Sequence, residues 1–346
     1  MTTVEATGTE RTIIQWVDVA RFLCAFFVVL AHVTGWGSNG NFAQSFYYSI
    51  SRVGVPIFFL LSGYLLLSKE ENLSIFFKKR ISKVLIPFLV WSIIYDAAYS
   101  QPITETVFSL KSAIGLFVRI IRGPRAGHLW FLYYLIGLYL LVPILRVFVK
   151  HARKTEFLYY VFLWLLVTSF LPIIEAFTPI KNGFEIYMAS GYLGYYLLGY
   201  YIGNAENSTK LFYWGVGLFI FGFLTTFSVF YFDLPPLDNE LVFRSYTSFN
   251  IVMMSLGAFI LMKTLGEKSG TAFSKLSKAA SQHSFGIYLI HFLVLDWMAF
   301  TWEGWGFDRQ DGSPLFVIPL VAIIAFLISW AGTYMIRKIP VLRAIV

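Results

Sequence analysis

The chain is built from long apolar runs separated by short polar connections, and this pattern restricts it to a membrane fold. A helix of about 20 apolar residues crosses the hydrocarbon core of a bilayer. Hydrophobic residues make up 58% of the 346 residues and charged residues only 13%, whereas a soluble domain carries about 25% charged residues. The sequence therefore predicts an all-α integral membrane protein with about ten transmembrane helices. Their approximate limits are 13–34, 48–67, 84–100, 129–148, 156–173, 188–203, 211–232, 247–265, 283–300 and 315–336.

Basic residues are shared unequally between the two sets of connections. If the N-terminus is cytoplasmic, 18 of the 27 Lys and Arg residues fall on the cytoplasmic side and 8 on the other, while Arg21 lies inside the first run. Positively charged loops stay in the cytoplasm, so both termini are expected there. We expect one polytopic domain over 1–346, with a short arm at 1–12 and a short tail at 337–346. The first run is too long for the apolar part of a signal peptide and is interpreted as a retained span.

The net charge of +8 does not indicate a nucleic-acid partner, because the basic residues form short clusters between apolar runs and no stripe with interleaved aromatic residues. No metal-spaced cluster, glycine-rich phosphate loop or G-x-S-x-G motif is present, so no metal is expected. The stretch 111–122 has apolar residues at helical spacing among its basic ones. It is either an interfacial helix or, together with Arg125, part of a basic site for an anionic substrate.

Small residues predict close contacts between helices. Gly191, Gly194, Gly199 and Gly203 lie in the sixth apolar run, and small residues four apart allow two helix backbones to approach each other. Ser62 and Gly63 in the second run are interpreted in the same way.

Three polar residues in the first run are the strongest indication of chemistry. Asp18, Arg21 and His32 lie in an otherwise apolar segment, where a charge costs several kcal/mol and usually faces a cavity or the interior of a bundle. Helical geometry places them on one face, with His32 roughly 16 Å along the axis from Arg21. Asp18 can pair with Arg21 as an i,i+3 neighbour. Since Asp18 is too far from His32, we expect His32 to depend on a carboxylate or tyrosine from another span.

Two later groups are weaker candidates. His128 lies beside Trp130 at the start of the fourth run, which is also typical of an interfacial aromatic belt. His291 lies one turn from Tyr288 in the ninth run, which is equally typical of a hydrogen-bonded packing pair.

Five short segments carry recognisable patterns in a fixed order. They are 17–32 (R-x10-H, from Arg21 to His32), 54–64 (V-P-x-F-F-x-x-S-G-[FY]), 77–83 (R-x-x-R, with Lys83 at the second basic position), 128–132 (H-L-W-F-L) and 284–291 (a penultimate-helix pattern). Together they resemble the membrane acyltransferase-3 family over about 18–340. The closing segment 337–340 and the segment 128–132 are most similar to the branch that O-acetylates bacterial surface polysaccharides, including enterobacterial common antigen.

The resemblance implies transfer of an acyl group, usually acetyl, from cytoplasmic acyl-CoA to a hydroxyl of a cell-surface or lipid-linked glycan in the bacterial cytoplasmic membrane. His32 would be the essential histidine, as a general base or a transient acyl carrier, with Arg21 and Asp18 as its polar partners. Arg80 and Lys83, with Lys79, would hold the CoA phosphates. Acetyl-CoA is then a co-substrate, and no permanently bound cofactor is implied.

A polytopic transporter or flippase of a glycan or a small anionic substrate is the alternative from the residues alone. Such proteins also bury polar residues, but they usually show paired broken helices in matching positions of two repeats. No such repeat is visible in this sequence. The sequence leaves the acceptor hydroxyl and the oligomeric state open.

Overall fold

A computed structural model describes residues 15–35, 41–99, 110–184, 186–234, 241–304 and 312–346. Within these ranges the regular structure is entirely helical. The α-helices are α1 (Gln15–Thr34), α2 (Phe42–Ser51), α3 (Gly54–Leu67), α4 (Leu73–Arg80), α5 (Ile86–Tyr99), α6 (Leu110–Arg122), α7 (Trp130–His151), α8 (Lys154–Leu165), α9 (Leu171–Phe177), α10 (Leu193–Asn204), α11 (Thr209–Tyr231), α12 (Leu241–Arg244), α13 (Phe249–Gly266), α14 (Thr271–Ser281), α15 (Ser284–Gly304) and α16 (Pro314–Lys338).

The helices confirm an all-α integral membrane protein. Among the described residues, nine helical segments are long and apolar enough to cross a membrane. They match nine of the ten predicted spans. The remaining one, predicted at 188–203, is the 12-residue helix α10 preceded by a 3-10 turn (Tyr187–Ala189), and α10 by itself is shorter than a full span. The predicted arm 1–12 lies outside the described residues.

Two of the spanning segments contain a π-helical turn. The first, Ile81–Leu85, joins α4 to α5, and the second, Leu166–Phe170, joins α8 to α9. A proline follows each of them within two residues, Pro87 and Pro172. In an α-helix a proline has no N–H to donate to the carbonyl four residues earlier, and its ring clashes with that carbonyl. The wider π-turn, in which the next residue bonds to the carbonyl five residues earlier, accommodates the ring without ending the helix.

Helices α3 and α10 touch backbone to backbone through two glycines. A Cβ atom on Gly63 would lie 2.0 Å from the carbonyl oxygen of Tyr196, and one on Gly199 would lie 2.0 Å from the carbonyl oxygen of Leu60. Only glycine fits at such positions. The contact therefore confirms the packing that the small residues predict.

The same pair of helices runs in parallel. Both end at one end of the bundle, where Asn204 Nδ2 donates to Ser68 Oγ at 3.2 Å, and Gly203 accommodates the ring of Tyr64. Gly194 in α10 faces the indole of Trp164 in α8. Close packing holds the short helix α10 between α3 and α8.

Helix α1 occupies the centre of the bundle and contacts α2, α3, α13, α14, α15 and α16. Trp16 at its start is almost fully buried. Its ring packs 5.0 Å from that of Tyr64 and 5.4 Å from that of Phe259, and Gly266 leaves room for its Cβ. Asp18, Arg21 and His32 on this helix are each half-buried.

The predicted tail at 337–346 is folded against the bundle. Helix α16 extends to Lys338, and Arg337 donates to the carbonyl of Gln282 at 2.5 Å. Trp91 Nε1 donates to the carbonyl of Ile345 at 2.8 Å. The last residues therefore tie α5 to the base of α15 and α16.

Candidate active site

Three imidazole rings from distant parts of the sequence meet inside the bundle. They belong to His32 in α1, His128 in the 3-10 turn Gly127–Leu129 that opens α7, and His291 in α15. The ring of His291 lies 5.0 Å from each of the other two, which are 6.2 Å apart, all measured between centroids. We call these three residues the histidine cluster.

Backbone carbonyls determine which nitrogen carries the proton in two of the rings. Nδ1 of His32 lies 2.8 Å from the carbonyl oxygen of Val28, and Nδ1 of His291 lies 2.6 Å from that of Tyr288. A carbonyl oxygen only accepts hydrogen bonds, so each neutral ring carries its proton on Nδ1. Nε2 of His291 can then accept from Nδ1–H of His32 at 3.4 Å, and Nε2 of His32 keeps its lone pair.

His128 is the unsatisfied member of the cluster. The residue is 2% exposed. Neither of its ring nitrogens forms a hydrogen bond of good geometry, although the backbone of Leu289 lies near the ring. Its carbonyl oxygen accepts from Tyr288 Oη at 2.6 Å, and its ring stacks on Phe292 at 4.9 Å. Buried polar nitrogens are normally hydrogen-bonded, so an unpartnered imidazole beside two others is a place where a polar ligand group fits.

The predicted candidates His128, Tyr288 and His291 thus lie together with His32. Trp130 lies two residues after His128, where its indole stacks on Tyr246 at 5.6 Å. The contact to His32 is unlike the expected one: its neighbour is the imidazole of His291 and not a carboxylate or tyrosine. Helix α15 supplies this ring because it packs directly against α1, an arrangement that the spacing within α1 does not reveal.

Asp18 and Arg21 lie at the other end of α1. The helix is unbroken from Gln15 to Thr34, which keeps them roughly 16–21 Å from His32 along the axis. Asp18 Oδ1 accepts from Ser281 Oγ at 2.5 Å, and Arg21 is close enough to Tyr139 to act on it electrostatically. These two residues are therefore not in contact with the histidine cluster.

The predicted donor residues lie at the end of the bundle where α1 begins, which we call the basic end. Arg80 stacks over Phe76 at 5.3 Å and over Tyr139 at 5.6 Å, measured from the guanidinium carbon to the ring centroids. Its buried Nε has no hydrogen-bond partner. Lys83 is exposed on the π-turn.

A second arginine joins this group. The guanidinium carbon of Arg146 in α7 lies 4.8 Å from the ring centroid of Phe76. Its Nε donates to the carbonyl of Leu66 at 2.9 Å. Its guanidinium also lies 3.6 Å from Glu71. Motif spacing around 78–83 did not indicate Arg146, because it comes from a helix about 65 residues further along the chain.

Lys79 is engaged differently from Arg80. It forms an ion pair with Glu71. The hydrogen bond from Lys79 holds the pKa of Glu71 below its usual range, with smaller contributions from Arg80 and Arg146. Glu71 therefore remains a carboxylate at neutral pH and offsets part of the charge of Lys79.

Arg125 and Arg119 share one carboxylate. Arg119 binds Asp96 through two nitrogens at 2.8 and 3.2 Å, and Arg125 Nε lies 2.6 Å from the same group. Helix α6 otherwise turns apolar side chains such as Phe117 and Ile121 outward. This arrangement fits the interfacial helix better than an anion site, because both arginines already pair with Asp96.

The histidine cluster does not have the geometry of a metal site: within the described ranges, no group of three or more His, Cys, Asp and Glu side chains could hold a metal ion. The family model described as "Acyltransferase domain" matches residues 14–334. No curated protein and no solved structure shows significant similarity to the chain.

Proposed function

The chain belongs to the membrane acyltransferase-3 family, and from this premise we propose that it moves an acetyl group from cytoplasmic acetyl-CoA to a hydroxyl of a cell-surface or lipid-linked glycan. It is a membrane acyltransferase because the matched domain covers nearly the whole chain. Family membership favours this function over the transporter that the buried polar residues alone left open. The proposal places the protein in the bacterial cytoplasmic membrane, as its resemblance to polysaccharide O-acetyltransferases suggests.

The observation that supports the chemistry best is the protonation pattern of His32. With its proton on Nδ1, held by the carbonyl of Val28, its Nε2 is a base. Nε2 takes the proton of the acceptor hydroxyl while the hydroxyl oxygen bonds to the thioester carbonyl carbon. The carbon–sulfur bond then breaks, and the departing thiolate takes the proton back from Nε2. The products are an ester and free CoA thiol.

His291 supports the base from the other side. Its Nε2 accepts from Nδ1–H of His32, and its own Nδ1 is held by the carbonyl of Tyr288. An acceptor at this position stabilises the positive ring that forms when His32 takes a proton. His128, with two unpartnered nitrogens, is placed to donate to the oxygen of the tetrahedral intermediate.

The donor nucleotide binds at the basic end in this proposal. Arg80 presents an unpaired Nε beside two aromatic rings, and Lys83 is exposed next to it. Arg is suited to bidentate phosphate contacts and Lys acts as a point charge. The thioester must then reach roughly 16 Å further to meet His32, since Arg21 marks the basic end of α1.

A covalent route uses the same nitrogen. Nε2 of His32 could attack the thioester itself and carry the acetyl group to the acceptor in a second step. Intact-protein mass spectrometry after rapid mixing with acetyl-CoA alone separates the two routes. If wild type becomes acetylated and His32→Ala does not, His32 is an acyl carrier. If wild type does not become acetylated, His32 is a general base.

The function itself is tested by comparing surface glycans from cells with and without the protein. Mass spectrometry should show sugars that gain one acetyl group only when the protein is present. Purified protein in lipid nanodiscs should transfer label from radioactive acetyl-CoA to the same glycan. Unchanged glycans together with no transfer in vitro would reject the proposed acceptor class.

A further inference from the structure

We infer that Arg52 holds an anionic group of the acceptor, a phosphate or a carboxylate, beside the histidine cluster. The inference rests on the proposed function, because it specifies which glycans the same site accepts. Arg52 lies in the two-residue connection between α2 and α3. It is at the opposite end of α3 from the basic end.

Aromatic rings surround the Arg52 side chain. Its guanidinium carbon lies 3.8 Å from the ring centroid of Tyr246 and 5.4 Å from that of Tyr48. One nitrogen donates to the carbonyl of Arg244, and another lies 3.5 Å from Tyr48 Oη. These contacts fix the plane of the guanidinium but satisfy only part of its five donors.

Arg52 is not neutralised by a carboxylate anywhere in the part of the chain that the structure describes. Other arginines do have a carboxylate partner. Arg119 and Arg125 pair with Asp96, and Arg244 pairs with Asp233. The Nε of Arg52 is buried and has no hydrogen-bond partner. Arg52 as a whole is half-buried. A cation drawn out of water without a counter-charge is costly, and stacking on tyrosine offsets only part of that cost. An anion bound at this point would satisfy both the charge and the remaining donors.

The site is next to the reacting centre. Gly54, two residues after Arg52, packs so closely on α1 that its Cβ would lie 3.3 Å from the backbone nitrogen of Val28. The carbonyl of Val28 is the one that holds His32. Arg52 is also close enough for its charge to act on the ring of His32. An anionic group on Arg52 would therefore place a neighbouring hydroxyl within reach of that ring.

The donor does not account for Arg52. Arg80 and Arg52 share two features: each stacks on aromatic rings, and each has a buried Nε without a hydrogen-bond partner. They lie at opposite ends of the bundle, separated by the length of α3, about 20 Å. One arginine therefore serves the phosphates of the donor and the other serves the acceptor.

The test uses the full-length protein in nanodiscs of zwitterionic lipid, with three soluble probes: glucose 1-phosphate, glucuronate and glucose. Affinities are measured by titration calorimetry or saturation-transfer NMR. At least one anionic sugar should bind more tightly than glucose, and Arg52→Gln should weaken it about 10- to 100-fold, the factor that a lost charged hydrogen bond is worth. Binding of the phosphate alone points to a phosphorylated lipid-linked acceptor, and binding of the carboxylate alone points to an acidic sugar.

Arg119→Gln is the matched control, since it removes a positive charge that Asp96 already offsets and should leave the affinities unchanged. Arg52→Lys keeps the charge without the planar fork and should retain part of the binding with a steeper dependence on salt. If Arg52→Gln does not fold, the test rests on whether Arg52→Lys binds the anionic sugars more weakly than wild type does. Equal affinity for glucose and both anions, an unaffected Arg52→Gln, or an equal loss in Arg119→Gln would overturn the inference.

Acetyl-CoA binding and acetyl transfer are measured on the same samples. Selective anion binding without transfer to any glycan would keep the Arg52 site and reject the proposed function. Transfer to a neutral glycan that is as fast in Arg52→Gln as in wild type would reject the Arg52 site and keep the function.

Discussion

His291 Nε2 lies 3.4 Å from His32 Nδ1, so two residues that are 259 positions apart in the sequence share one proton-bearing contact. The carbonyl of Val28 competes for the same proton at 2.8 Å. Both acceptors hold the proton on Nδ1 and leave the opposite nitrogen of His32 as a base. Four predictions concern this contact, the donor cations and the helix packing, and a fifth concerns topology.

Replacing His32 should abolish transfer without preventing donor binding. Loss of a general base lowers the rate by about 10²–10⁴-fold, and His32→Gln should be nearly as damaging as His32→Ala because an amide does not titrate. Transfer is measured by single-turnover assays and acetyl-CoA affinity by calorimetry. If His32→Gln kept more than about a tenth of the activity, proton transfer at this residue could not supply such a factor.

His291→Phe should slow transfer less than changes at His32, because His291 is a positioning residue that acts through His32. We expect a loss of about 10- to 100-fold and a shift of the acidic limb in the pH profile of kcat/KM, since one of the two acceptors for His32 Nδ1–H is gone. His291→Asn, which can still accept a hydrogen bond, should recover part of the rate. A lower rate with an unshifted pH profile would mean that His291 only fills space.

Removing the charges of Arg80 and Lys83 together should weaken acetyl-CoA binding, and the loss should be larger at low salt because phosphate attraction is screened. Affinity is measured at two salt concentrations. Arg153→Gln is the control: this exposed arginine pairs with Glu156 at the same end. An unchanged affinity in the double variant would place the donor phosphates elsewhere.

Alanine at Gly63 or Gly199 should destabilise the bundle by about 1–3 kcal/mol, the usual cost of overpacking, because each added methyl group meets a carbonyl oxygen. Gly137→Ala is the matched control, since nothing lies within 4 Å of its Cβ position. Stability is followed by thermal unfolding in detergent. Equal unfolding temperatures for Gly63→Ala and Gly137→Ala would contradict the close contact.

Reporter fusions test the topology. Fusions after Lys154 and at the C-terminus should report the cytoplasm, and one at Asp311, outside the described residues, should report the external side. The reason is the excess of basic residues on one side. An external C-terminus would contradict an even number of crossings.

The spans were predictable because lipid imposes a minimum apolar length on a crossing helix. Nine segments satisfy it among the described residues. Helix α10 is the exception, because its apolar run is interrupted by a 3-10 turn and by Gly191 at a φ of 65°. Hydropathy counts apolar residues, but it does not detect where the backbone leaves the helical conformation.

The site was predictable only in part. Motifs identified His32, His128 and His291 separately, yet their meeting depends on how α1, α7 and α15 pack. Arg146 and Arg52 carry no pattern of their own, and their roles follow from contacts with Phe76 and Tyr246. Spacing within a helix relates residues on that helix, whereas contacts between helices require the fold.

The glycine contact between α3 and α10 limits how damage there can be repaired. Each glycine meets the main chain of the opposing helix, so no smaller side chain on that helix can make room. A suppressor screen begun from Gly63→Ala should therefore yield reversion or changes that shift a whole helix, and not substitutions at Tyr196.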